Sequence, residues 1–250
     1  MCETEKEGFI RRGTGLASVG RFRQSVEWLT RALALRPGDP AALVAKASSL
    51  SRMGFFQASV RCCEKVIESH PRDPDAWFIR GSVLYMTGRW TEAVPCLEQA
   101  ASLDPGHAEA WYTLGNCHYY LGEYEEALCS YDAVIGLDPE YPKAWYNKGV
   151  ALADVHRYGE ALTCYEECAR INPGVAVVYT NMGVALAGLN RFEEAIARFE
   201  EAIGINPHDP TPWNNKAASL RRLGREEEAE ACAEKVRDLT RGREIPWIIR

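Results

Sequence analysis

Six prolines fall at one fixed interval. Pro37, Pro71, Pro105, Pro139, Pro173 and Pro207 are each 34 residues apart. A recurrence of that length, sustained along a chain, is one helix–turn–helix unit repeated, and such units bury their apolar faces only by stacking on one another. If proline is placed at position 32 of the unit, the repeats run 6–39, 40–73, 74–107, 108–141, 142–175, 176–209 and 210–243, with a short extension at 1–5 and a tail at 244–250. The expected fold is therefore all-α, a right-handed solenoid of seven helix pairs, in which contacts run between neighbouring repeats.

Other positions keep the same period. Position 4 is large (Phe9, Leu43, Trp77, Trp111, Trp145, Tyr179, Trp213), whereas position 8 is small (Gly13, Ala47, Gly81, Gly115, Gly149, Gly183, Ala217). Position 20 is also small, from Ser25 to Ala229, and position 24 is bulky in most repeats: Leu29, Leu97, Tyr131, Tyr165, Phe199. Spacings of three and four are helical, and place helix A at positions 2–14 and helix B at 18–31. Gly20, Gly54, Gly88, Gly122 and Gly224 at position 15 suit a left-handed helix end, as does Asn190. His156 suits it less well, so the fifth turn is expected to differ. Pro95 falls inside helix B of repeat three, which is expected to begin late or kink there.

The fourth repeat reads Trp111-x2-Leu114-Gly115, then Gly122-x-Tyr124, Ala127, Tyr131 and Asp138-Pro139. This pattern resembles the tetratricopeptide repeat family, and the resemblance covers residues 6–243. It implies that positions 2, 5, 6, 9, 12 and 13 of the A helices face a concave groove that binds partners. Those positions hold Phe78, Tyr85, Tyr112, Tyr119, Tyr120 and Tyr146 in repeats three to five. They hold Asn116 in repeat four, Asn147, Asn181 and Asn215 at position 6 of repeats five to seven, and Arg221 and Arg222 in repeat seven. One asparagine per repeat, about 10 Å apart, matches every third residue of an extended peptide and offers its main chain both a donor and an acceptor. The competing reading is that asparagine at position 6 is a family habit. The clamp with which some members grip chaperone carboxylates is not expected, because Phe78, Ser82 and Thr113 stand where it requires Lys, Asn and Asn.

No phosphate loop, metalloprotease helix or nucleophile elbow occurs, so the chain is expected to be a non-catalytic interaction scaffold for a protein or peptide partner, without a cofactor. Two alternatives are a recognition module for a separate enzyme and a self-assembling solenoid. The net charge is −6, and repeat four alone is at −7 with no Lys or Arg. A basic stripe for nucleic acid is absent, while the acidic middle is either a solvated outer face or a site for a basic partner. No apolar run reaches membrane-spanning length, and the first residues have no apolar signal core, so a cytoplasmic location is expected. Cys62, Cys96, Cys164 and Cys232 all fall at position 23. That spacing is too wide for disulfides and favours packing. A metal at Cys164 and Cys168 is not expected. His118 is expected to be a hydrogen-bonded core histidine, with a ligand or pH-sensing role as the alternative. The tail, with Trp247, Ile248 and Ile249, is expected to fold back on repeat seven or to insert into a second molecule and self-associate.

Overall fold

The computed structural model describes residues 2–241, and the tail at 244–250 lies outside them. The chain is all-helical and divides into two compact units, Met1–Leu137 and Asp138–Arg250. The first unit contains α1 (Cys2–Ser18), α2 (Phe22–Leu35), α3 (Pro40–Arg52), α4 (Phe56–Ser69), α5 (Pro74–Met86), α6 (Trp90–Leu103), α7 (Ala108–Leu121) and α8 (Tyr124–Leu137). The second contains α9 (Pro142–Asp154), α10 (Tyr158–Ile171), α11 (Ala176–Gly188), α12 (Phe192–Ile205), α13 (Pro210–Arg222) and α14 (Glu226–Thr240). None of these helices is long and apolar enough to cross a membrane.

Both helices of most repeats start one residue earlier than the periodicity suggests, A at position 1 and B at position 17. The reason lies at the N-termini. Pro40, Pro74, Pro142 and Pro210 occupy the first helical turn, where proline's missing N–H has no partner to lose. Asp39, Asp73 and Asp209 cap their helices by accepting from Ala42, Ala76 and Thr211 N–H groups. His107 does the same for α7, its Nδ1 accepting from the Ala110 N–H at 3.2 Å.

Helix A ends identically in every repeat. The N–H of position 16 donates to the carbonyl of position 11, from Arg21 to Leu16 through Arg225 to Leu220. This bond closes a Schellman turn around a left-handed residue. The fifth turn is no exception, contrary to expectation. His156 adopts φ 61° like its glycine counterparts, and Arg157 N–H still reaches the Leu152 carbonyl at 2.9 Å. Its ring hydrogen-bonds the Tyr158 hydroxyl at 2.7 Å. Nor does Pro95 delay its helix, because α6 starts at Trp90 in register with the other B helices.

The small and large positions of the repeat meet in space. A Cβ added at Gly81 would lie 2.7 Å from Leu97 Cγ, one at Gly115 2.7 Å from the Tyr131 ring, and one at Gly149 2.6 Å from the Tyr165 ring. Gly13 meets Leu29 and Gly183 meets Phe199 in the same way. Where position 8 is alanine, position 24 is small: Ala47 with Cys63 and Ala217 with Ala233. The pair thus conserves volume, as a close-packed interior requires. Three buried serines are also satisfied, Ser25 with Ser49 at 2.9 Å and Ser59 donating to the Ala47 carbonyl at 2.7 Å.

The position-4 tryptophans join one repeat to the next. Indole N–H groups of Trp77, Trp111, Trp145 and Trp213 donate to the carbonyls of Pro71, Pro105, Pro139 and Pro207, at 2.9, 3.1, 2.9 and 3.4 Å. The two strongest marks of the sequence period, proline 32 and aromatic 4, are therefore bonded partners. Within each unit every helix packs on the next, and each A helix also touches the following A helix, whereas no B helix touches another B helix among the described residues. Each unit therefore curves with its A helices on the inside.

Of the nine cysteines, the eight from Cys62 to Cys232 are free thiols, most of them buried in this packing. Burial, with Cys62 nearby, pushes the Cys63 thiol up to about 12, and burial does the same for Cys117. His118 is buried and bonded through Nδ1 to Glu123 at 2.7 Å. That glutamate replaces the position-16 arginine that elsewhere forks onto a position-19 glutamate, as in Arg89–Glu92, Arg157–Glu160, Arg191–Glu194 and Arg225–Glu228.

Candidate functional site

The inner, A-helix face of each unit carries the residues singled out by sequence, but in different states of commitment. In the first unit they form an aromatic surface. Phe78 lies 4.4 Å from the His107 ring. Tyr120 is 52% exposed and stacks on Trp90 at 4.7 Å and 14°. Tyr85 and Tyr119 flank it at 6.2 and 5.6 Å, and Tyr124 lies 5.9 Å beyond Tyr119. Burial, followed by the neighbouring phenols of Tyr120 and Tyr112, pushes the Tyr85 hydroxyl up to about 12. At neutral pH it is a protonated donor. Tyr112 leans towards Tyr131 at 6.3 Å.

Asn116 is not presented to a ligand in the way its neighbours are. It is only 7% exposed, and its Oδ1 accepts from the Tyr131 hydroxyl at 2.9 Å. It anchors the ring that fills the space above Gly115. Beside it on the same face, Ser82 holds a buried hydroxyl with no hydrogen-bond partner.

In the second unit the asparagines of position 6 diverge. Asn181 donates through Nδ2 to the Tyr146 hydroxyl at 3.2 Å, which fixes both side chains, while Asn147 is half-buried. Burial pushes the Tyr146 phenol upward, partly offset by the hydrogen bond from Asn181. Asn215 lies further along and faces a cleft of about 350 Å³. The walls of that cleft are Val184 and Ala187 of α11 and Ala218 and Ser219 of α13, with Phe192 and Phe199 of α12 as its floor. Arg222 stands at the rim, its guanidinium carbon 5.1 Å above the Phe192 ring centre. Arg221 is exposed beside it.

The structure thus brings Asn215 and Arg222 to one cleft, Tyr146 and Asn181 to one bond, and Tyr85, Tyr119 and Tyr120 to one cluster. Sequence reasoning missed Trp90 and Phe192, which lie on B helices. A signal existed. Position 17 is aromatic in six repeats (Phe22, Phe56, Trp90, Tyr124, Tyr158, Phe192). Three of these rings lie against position 13 of the following repeat: Trp90 on Tyr120, Tyr158 on Gly188, Phe192 beneath Arg222. A Cβ at Gly188 would fall 2.7 Å from the Tyr158 ring, so only glycine allows that ring to lie flat there.

Known proteins resemble this chain in the same terms. No curated protein matches it significantly in sequence. A family model described as anaphase-promoting complex, cyclosome, subunit 3 matches residues 53–134. Among solved structures, MamA from Desulfovibrio magneticus RS-1 shares 24% identity and a TM-score of 0.66, over 68% of this chain and 97% of that one. MamA MSR-1 shares 28% identity and a TM-score of 0.60, over 67% and 97%. YrrB, titled a TPR protein with an unusual peptide-binding site, shares 20% identity and a TM-score of 0.65, over 74% and 95%. Three tetratricopeptide repeat models match residues 115–155, 140–207 and 180–243. They cover just over half of the chain between them, the helix pairs outside them keep the same 34-residue frame, and the chain belongs to the tetratricopeptide repeat family.

Proposed function

We propose that this protein is a non-catalytic interaction scaffold that holds an extended or helical segment of a partner protein against its A-helix faces. The observation that carries this reading is the cleft between α11 and α13. It is apolar at its base and polar at its rim, and it lies on the inner face of the second unit. Pockets that bind peptides or small ligands have this composition, with few polar groups above an apolar floor. The aromatic surface around Tyr120 is a second anchor of the kind that dominates interface energetics. YrrB, which shares the fold, is described as a TPR protein with an unusual peptide-binding site. Asn147, Asn181 and Asn215 contribute hydrogen bonds to the partner's main chain on this reading. Asn181 does so through the donor and acceptor capacity that remains beyond Tyr146.

The test is site-specific photocrosslinking in extract of the native cell. A benzophenone side chain at position 119 or 218, on the inner face, should capture a defined partner. The same group at position 125 or 201, on the outer B helices, should not. Capture of the same partner only from the outer positions would place the binding surface on the wrong side of the molecule and end this reading.

A further inference from the structure

The cleft between α11 and α13 is distinguished by what overlooks it. None of its lining residues is acidic, and of its three polar side chains Ser219 donates its hydroxyl to the Asn215 carbonyl at 3.1 Å, which leaves the Asn215 amide and the Arg222 guanidinium to meet a ligand. The arginines at the B-helix starts of this unit, Arg157, Arg191 and Arg225, are each forked onto a glutamate. Arg222 has no such partner among the described residues and rests over an aromatic face instead. A guanidinium held above a ring keeps its planar fork of donors available and pre-oriented, and a carboxylate matches that fork with two parallel hydrogen bonds. The adjacent low-polarity floor strengthens such a pair relative to one in open water.

The apolar part sets a second requirement. Val184, Ala187, Ala218, Phe192 and Phe199 supply the apolar lining of this open cleft of about 350 Å³, near the lower end of the range for ligand pockets. That space suits one bulky aliphatic or aromatic side chain. In an extended segment, side chains two residues apart lie on the same side, about 6.6 Å from each other. A residue filling the cleft and a carboxylate reaching its rim are therefore related as i and i+2, and the peptide unit between them passes Asn215.

Building on the groove reading above, we propose that the α11–α13 cleft selects a partner segment with a bulky apolar residue two positions from an aspartate or glutamate. The apolar side chain enters between Val184 and Ala218, and the carboxylate pairs with Arg222.

The experiment is display selection of random twelve-residue peptides on the full chain, followed by fluorescence-polarisation titration of the enriched sequences. Three variants are titrated alongside: Arg222→Glu, Arg222→Gln and Ala218→Trp, all at exposed positions, with unchanged helicity and melting as the control for folding. The expected outcome is enrichment of the apolar-x-acidic pattern. Binding should weaken at least about tenfold on Arg222→Glu and less on Arg222→Gln, as loss of a charged hydrogen-bonded pair implies. Ala218→Trp should fill the cleft and abolish binding. Selection repeated on Arg222→Glu should exchange the acidic preference for a basic one. Peptides blocked by Ala218→Trp yet indifferent to Arg222→Glu, with no acidic residue at that spacing, would overturn the chemistry assigned here and leave the groove reading intact. Enriched peptides indifferent to all three variants, or no enrichment, would overturn the cleft as a binding site altogether.

Discussion

Changing Gly81 to alanine should destabilise this protein, and the same change should stabilise it once Leu97 is cysteine. Gly81 sits mid-helix in α5, fully packed, and a Cβ there would lie 2.7 Å from Leu97 Cγ and 2.9 Å from Leu97 Cδ2. Overpacking of this kind costs about 1–3 kcal/mol. Alanine in a helix interior is favoured over glycine by about 1 kcal/mol. The net effect of Gly81→Ala alone is therefore a loss of up to about 2 kcal/mol. Leu97→Cys alone opens space in a cluster with Leu84, Cys96, Leu114 and Cys117, and should cost about 2–3 kcal/mol. In the double variant the new methyl occupies part of that space, so the helix preference emerges and Gly81→Ala becomes stabilising by about 0.5–1 kcal/mol. The protein already contains this solution, because repeat two has Ala47, Cys62 and Cys63 at the corresponding positions, with Cys63 fully buried. Stacked repeats need not unfold in one step, so the assay is amide hydrogen exchange of α5 and α6, which reports local opening free energy, with urea titration by circular dichroism beside it. Equal losses from Gly81→Ala in both backgrounds would show that positions 8 and 24 are not coupled, and would refute the volume-exchange argument.

Three further outcomes follow from the same packing. Lys6 and Asp39 form a buried ion pair at 3.0 Å. Burial alone would raise the Asp39 carboxyl, but the Ala42 N–H, Lys6 and Arg36 outweigh it and hold it below its ordinary value of 3.8. A depressed carboxyl contributes stability that is complete above that ordinary value and is lost as pH falls through the lower, folded one. Stability of the first unit should therefore drop below about pH 4, and Asp39→Asn should cost about 1.5–3 kcal/mol at pH 7 and flatten that acid slope. Iodoacetamide at pH 8 should label exposed Cys129 while leaving Cys63 and Cys117 protonated and protected until the chain unfolds; comparable rates, read by mass spectrometry, would contradict the burial described here. His156→Val should lower stability by about 1–2 kcal/mol because a β-branched residue resists φ 61°, whereas His156→Gly should be nearly neutral in a thermal melt.

The period of 34 determined a great deal by itself. Among the described residues, its proline and aromatic positions located the helices to within a residue, apart from α1, which starts five residues earlier than the frame places it, because the apolar spacing of three and four is dictated by the helix and does not depend on what packs against it. It also identified the small and large positions that pair across each helix hairpin. Three-dimensional packing decided the rest. His156 takes a left-handed backbone because the Schellman bond from Arg157 to Leu152 imposes it, a demand that outweighs the preference of the residue. Asn116 and Asn215 occupy similar faces in the sequence frame, yet one is sealed beneath Tyr131 and the other opens on a cleft. The difference lies in which rings the neighbouring helices bring over them. The repeat frame assigns Arg222 to the groove face but does not say what holds it there. Only the ring of Phe192, delivered from the preceding repeat's B helix, fixes it at the rim of an apolar space, because side chains distant in sequence meet only after the helices have stacked.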